Sequence, residues 1–167
     1  MNGNSRIALV AFVSVVLDQI SKMLVLAYMP VPAERTLING FFKLVHWQNT
    51  GAAWSMFSGN NAALAIVSLL ALLALFVFRH HFETRTPLGQ ISMGLIFGGI
   101  IGNVLDRLFR HHVVDFIRFF IVSRSGEELG FPAFNIADSA ICVGVGLLFI
   151  ISLRGEQSTA APNAGAT

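Results

Sequence analysis

The chain has 167 residues, 54% of them hydrophobic and 12% charged, with a net charge of +2 and five histidines. Mean hydropathy is +0.70 and the sequence pI about 9.2. A soluble domain carries about twice that charged fraction, so the composition excludes an ordinary water-soluble fold and predicts one integral membrane domain. The basic residues are scattered, which fits modest basicity at lipid headgroups and gives no nucleic-acid footprint.

Four apolar stretches of roughly the 20 residues needed to cross a bilayer follow in order: Ile7–Tyr28, Ala62–Phe78, Leu88–Leu108 and Phe134–Leu153. The first follows Arg6 but is too long for a signal-peptide core. No small-x-small cleavage site comes after Tyr28, so the stretch is expected to be a retained helix. Pro30-Val31-Pro32 ends it. Phe42–Gln48 then reads as an extended segment between the turn signals Asn39-Gly40 and Asn49-Thr50-Gly51, predicting a small sheet or hairpin at the membrane surface. Arg79–Pro87 is a short polar connection. Phe109–Pro132 is longer, and its Phe116, Arg118, Phe119, Phe120 and Arg124 suggest a loop or helix lying in the interface. The domain is expected to occupy residues 1–157, with Ser158–Thr167 a small, polar, disordered tail.

In the third stretch Gly94, Gly98 and Gly102 recur every fourth residue, with Gly99 beside them, predicting a face on which another helix packs closely. The single cysteine, Cys142, permits no internal disulfide and is read as a buried packing thiol. An even number of spans puts both termini on one side. Arg6, Arg79, Arg85 and Arg154 fall on that side, and Arg35, Lys43, Arg110, Arg118 and Arg124 on the other, so the positive-inside rule leaves orientation open.

Polar residues gather at the ends of the spans, where topology can bring them to one membrane face. Asp18 lies in the first span and Asn49 in the first long loop. Asn103, Asp106 and Arg107 end the third span, Asp115 follows, and Asn135 and Asp138 open the fourth. Ionisable groups at membrane depth are costly and mark functional sites. Each also has a plainer reading. Asp18 and Lys22, four apart, form an ion pair that makes both charges tolerable. Arg107 holds a carboxylate such as Asp106 or Asp115. Asp138 caps a helix, and Asp115 is a solvated interfacial charge. Two carboxyls placed together offer something more, since they can share one proton and activate a water. Ser21 is next to Lys22 and does not face it, so serine chemistry lacks a base. His80-His81 and His111-His112 are adjacent pairs, poorly arranged for one metal. No metal and no cofactor are expected.

Five segments in order decide among these readings. They are Asp18-Gln19-Ile20-Ser21-Lys22, Asn49-Thr50-Gly51-Ala52-Ala53, the run Gly98–Arg107 ending Asn103-Val104-Leu105-Asp106-Arg107, Val113-Val114-Asp115-Phe116, and Phe134-Asn135-Ile136-Ala137-Asp138-Ser139. With them the chain resembles the bacterial signal peptidase II family, the lipoprotein signal peptidases, over nearly its whole length. Trp54 is the one departure, at a position where the family often has Phe.

The resemblance implies an all-α membrane protein of four transmembrane helices, with a small extracytoplasmic β-sheet cradle near Phe41–Ala53 and an interfacial loop or helix. It implies an aspartic endopeptidase that removes the signal peptide of prolipoproteins just before a diacylglyceryl-modified cysteine. Asp115 and Asp138 fall on the family's catalytic pair; Asp18, Lys22, Asn49, Gly51, Asn103, Arg107 and Asn135 fall on its supporting and substrate-binding positions. The expected partners are the lipidated precursor and membrane lipid, with no nucleic acid, and the protein is expected to be monomeric. It would lie in the bacterial inner membrane with cytoplasmic termini and its site near the outer face. A proton-coupled transporter using Asp18, Asp115 and Asp138 as a relay is the alternative, and a non-catalytic assembly factor docking through the glycine face is a third. The ionisable residues cluster at one face without lining a path, and the chain lacks repeated halves, which argues against transport.

Overall fold

The computed structural model describes residues 2–51, 59–82 and 84–159, with backbone alone for 155–159. Among these, four helices are long and apolar enough to cross a membrane. They are α1 (Gly3–Tyr28), α2 (Asn61–Phe78, continued by a 3-10 turn Arg79–His81), α3 (Pro87–Phe109) and α4 (Ile136–Thr159). Four strands, β1 (Ala33–Ile38), β2 (Phe42–Asn49), β3 (Val113–Val122) and β4 (Glu128–Gly130), form one antiparallel sheet in chain order.

The helix starts follow local chemistry. Asn2 accepts from the Ser5 amide at 2.8 Å to cap α1, and Thr86 accepts from the Gly89 amide at 3.0 Å to cap α3, with Pro87 in the first turn. Asn135 and Asp138 cap α4 reciprocally. The Asn135 side chain accepts from the Asp138 amide at 3.0 Å, and the Asp138 carboxylate accepts from the Asn135 amide at 3.2 Å. That box starts α4 at Ile136, two residues later than hydropathy alone places it. The helix runs on to Thr159; residues 160–167 lie outside the described ones.

α3 is the central helix. Two thirds of its apolar window (67%) is buried, against 6% for α2. The glycine stripe makes this possible. A Cβ at Gly98 would stand 2.5 Å from Ser14 Cβ and 2.7 Å from the Ala11 carbonyl, and one at Gly94 would stand 2.6 Å from Val10 Cβ. Gly94, Gly98 and Gly102 therefore face α1, whereas Gly99 meets Ala137 and Ile141 of α4. The end of α1 packs on the sheet through Val25 and Met29 against Val114 and Phe116.

Two expectations change. Phe109–Pro132 holds strands and no interfacial helix. From Val113 to Val122, eight of ten residues are Val, Ile or Phe, which fit a pleated surface and have no helical period. The segment completes the sheet begun by β1 and β2. Cys142 is exposed on the protein, not buried. α4 packs chiefly on α3, which leaves much of its surface uncovered by protein, and Cys142 lies in the lining of a cleft beside it. Ala52, Ala53 and Trp54 lie outside the described residues.

Candidate active site

The polar residues converge where the sheet meets the ends of α1, α3 and α4. Asp115 comes from β3. Its Oδ2 accepts from Asn49 Nδ2 of β2 at 2.9 Å, and its Oδ1 from Asn135 Nδ2 at 2.9 Å. Asn49 lies diagonally across from Asp115, since Trp47 is the direct partner of Asp115 and Val113 that of Asn49. A bulge in β2 between Leu44 and Trp47 sets that register.

Asp138 stands in the first turn of α4. Its Oδ1 accepts from Asn103 Nδ2 of α3 at 2.7 Å. Asn135 joins the two halves, because its amide donates both to Asp115 and, at 3.2 Å, to Asn103 Oδ1. Both carboxylates border one cleft of about 790 Å³, together with Asn49, Gly51, Asn103 and Arg107. Much of the remaining lining is apolar, including Trp47, Phe131 and Ile141. Asp115 is 3% exposed. Burial, and then the neighbouring Asp138 carboxylate, push its carboxyl up to about 7, against the opposing pull of the Asn49 and Asn135 amides.

Behind the cleft lies a closed network. Lys22 is fully buried, and its ammonium donates to Asp18 at 2.8 Å and Asn103 Oδ1 at 3.1 Å and pairs with Asp106 at 2.8 Å. Two hydrogen bonds and a second ion pair thus surround the ammonium. Asp18 also accepts from the Ala137 amide at 2.9 Å, which ties α1 to the start of α4. Asp106 accepts from Arg110 as well and, at 3.2 Å, from the Val114 amide, which ties α3 to β3. Gln19 donates to Asp106 at 3.2 Å and accepts from Arg110 at 2.9 Å. Two cations thus face two carboxylates, and burial leaves no net charge uncompensated.

The expected Asp18–Lys22 pair forms, and Lys22 gains Asp106 as a second partner. Among the described residues, Arg107 holds no carboxylate in an ion pair. Its Nη2 donates to the Gly51 carbonyl at 3.2 Å, and Arg110 takes Asp106 instead. One helical turn separates Arg110 from Asp106, whereas Arg107 is the next residue and points elsewhere. Arg110 and Gln19 were not assigned roles from the sequence. The four-residue spacing of Asp106 and Arg110 was the available signal for Arg110.

Comparison with known proteins agrees with this architecture. A sequence model of the family described as Signal peptidase (SPase) II matches residues 10–154. A lipoprotein signal peptidase of Symbiobacterium thermophilum is 39% identical over 140 residues, 84% of this chain and 89% of that protein. One from Bacillus pumilus is 35% identical over 151 residues, 90% of this chain and 94% of that protein. Among solved structures, a bacterial membrane enzyme determined by the in meso method at 2.3 Å superposes with a TM-score of 0.77 at 32% identity, covering 95% of this chain and 93% of the other. A second, at 1.9 Å, gives a TM-score of 0.71 at 34% identity, covering 87% and 90%.

Proposed function

The chain belongs to the signal peptidase II family, and from that premise we propose that it is an aspartic endopeptidase whose reacting groups are Asp115 and Asp138. Its task is the processing of prolipoproteins, with release of the signal peptide just before the diacylglyceryl-modified cysteine. One observation carries the assignment of the pair. Two carboxylates from different elements border a single cleft, each oriented by amide donors and linked through Asn135.

The chemistry follows from their closeness. Two neighbouring buried carboxyls cannot both ionise cheaply, so the pair keeps one proton near neutral pH. The ionised member takes a proton from a water in the cleft. That water's oxygen attacks the scissile carbonyl carbon. The protonated member gives its proton to the developing oxyanion or the leaving amine, and the peptide C–N bond breaks. Asn49, Asn103 and Asn135 hold the carboxylates in place for this exchange. The buried Asp18–Lys22–Asp106–Arg110 network fixes the helix ends that carry them.

The apolar part of the cleft suits a substrate that arrives within the bilayer. Its acyl chains would hold it in the membrane and bring the peptide to the carboxylates as an effectively intramolecular partner. Membrane lipid is thus the second partner, and the enzyme acts as a monomer, since one chain supplies both carboxylates and the amides that orient them. The start of α1 and the end of α4 lie at the end of the bundle opposite the site. We assign that end to the cytoplasm, the membrane to the bacterial inner membrane, and the cleft to its outer face.

The test is cleavage of a diacylglyceryl-modified precursor peptide by the purified protein in detergent. Release of the signal peptide, and none from a peptide without the lipid, is the expected result. Absence of cleavage by folded protein returns the assignment to a transport or assembly role.

A further inference from the structure

A second cavity, of about 610 Å³, opens between α1, α2 and α3 at the opposite end of the bundle from the carboxylates. Its shape comes from a mismatch of side-chain size. The α1 stripe that lines it carries Ala8 and Ala11 beside Asn4 and Ile7, whereas α2 presents the larger Leu69, Leu72, Leu73 and Phe76. Phe97 of α3 contributes to the floor. Because α2 packs mainly on α3, the gap between α1 and α2 is not filled by protein.

The cavity has a charged mouth. Arg79 lines it one turn beyond Phe76. The guanidinium donates to the Phe76 carbonyl at 2.7 Å and lies 4.4 Å from the Phe76 ring centroid. It is thereby held over the apolar groove, and among the described residues the guanidinium makes no other hydrogen bond. In the sequence, the connection around it carries Arg79, His80, His81 and Arg85 against one acidic residue, Glu83.

Length matches one leaflet. Ten residues of α2 separate Leu69 from Arg79, about 15 Å at ~1.5 Å per residue, half of a hydrocarbon core of roughly 30 Å. We propose that this groove is a binding site for one anionic phospholipid, with an acyl chain between Ala8 and Leu73 and the phosphate on Arg79. The lipid wedges the loosely held α2 against α1. The site lies at the far end from the cleft and does not depend on the peptidase reading.

Native mass spectrometry of the intact protein, with phosphatidylglycerol or phosphatidylethanolamine added, tests the proposal. The wild type should retain one phosphatidylglycerol about fivefold more tightly than phosphatidylethanolamine, the factor for one cation near an anionic headgroup. Arg79→Gln should remove that preference. Ala8→Phe, at an exposed position, should fill the groove and weaken both lipids. Equal retention of the two lipids by the wild type, an unchanged preference in Arg79→Gln, or no effect of Ala8→Phe would each overturn it. Release of the bound lipid by millimolar inorganic phosphate would also overturn it, assigning the cation to free phosphate.

Discussion

Asn103 donates to Asp138 at 2.7 Å while its own carbonyl oxygen accepts from Lys22 at 3.1 Å. One amide therefore connects the fully buried ion network to a cleft carboxylate. Its two ends are not interchangeable, because the ammonium can only donate and the carboxylate accepts.

Asn103→Ala should consequently lower kcat with little change in KM. It removes a hydrogen bond to a charged group, commonly ~1.5–3 kcal/mol, or roughly 10- to 150-fold in rate. Steady-state kinetics on the lipidated peptide, beside a melting curve, check this. A loss confined to Tm, with kcat intact in the folded fraction, would show that the amide only supports the fold.

Lys22→Met should destabilise more than any single change at Asp18. Removing the ammonium leaves Asp18 and Asp106, both fully buried, without their shared partner. Breaking such a pair costs about 3–5 kcal/mol. Asp18→Asn leaves Lys22 still paired with Asp106, so its effect should be smaller. Because Asp18→Asn removes one of the two stranded charges, the double variant should recover part of the Lys22→Met loss. Thermal unfolding in detergent measures all three, and strict additivity would count against a shared network.

The packing of α3 makes a sharper contrast. Gly98→Ala puts a methyl 2.5 Å from Ser14 Cβ and 2.7 Å from the Ala11 carbonyl, so α1 must move. The cost should be ~1–3 kcal/mol, typical of overpacking. Gly146 has nothing within 4 Å of a built Cβ, so Gly146→Ala should be neutral or stabilising by ~0.5–1 kcal/mol. Equal melting temperatures for the two variants would contradict the close α1–α3 contact.

Much of this arrangement could be read from the sequence because membrane residence imposes strong patterns. Long apolar runs located the four helices, the four-residue glycine repeat located the α3 contact face, and Asp18 and Lys22 announced their pairing by spacing. What the sequence concealed depends on partners far along the chain. Val113–Val122 is strand only because β2 lies ready to pair with it, and its aromatics and arginines equally suit an interface. Arg107 and Arg110 both follow Asp106 closely, and only the helix rotation shows which one reaches it. Cys142 sits in an apolar run that would be buried in a soluble protein, whereas here it is exposed and lines the cleft that holds Asp115 and Asp138. The site lesson is similar. Asn135 and Asp138 form a helix cap and also border the cleft, so the plain and the chemical readings of Asp138 describe the same atoms.

Stability should depend on pH through Asp115. Its folded value of about 7 stands above the ordinary 3.8. Between about pH 4 and 7 the folded protein therefore holds a proton that the unfolded chain has lost. The unfolded state binds fewer protons, so stability falls as pH rises through this window and levels off above it, at no more than ~1.4 kcal/mol per pH unit for one group. Asp115→Asn should flatten that slope. Melting temperatures of both proteins from pH 4 to 8 decide the matter, and parallel curves would remove Asp115 as the source.

The dyad itself is tested by Asp115→Asn and Asp138→Asn. Asparagine nearly matches aspartate in shape, so the Asn49 and Asn103 contacts lose charge but little packing. Neither variant can take the water's proton or share one with its neighbour. Each should abolish cleavage of the lipidated peptide while the protein stays folded. Because both changes disable one proton-transfer unit, the double variant should be little worse than either single one. Substrate binding should persist, since the apolar cleft and the bilayer hold the acyl chains. Wild-type activity against pH should be bell-shaped, its limbs belonging to the coupled pair and its alkaline limb near the Asp115 value of about 7. Turnover by each purified variant is read beside peptide binding and Tm. Substantial cleavage by either asparagine variant, with wild-type contamination excluded, would sink the two-carboxylate mechanism; a rate loss that tracks lost binding would make the residue a substrate contact instead.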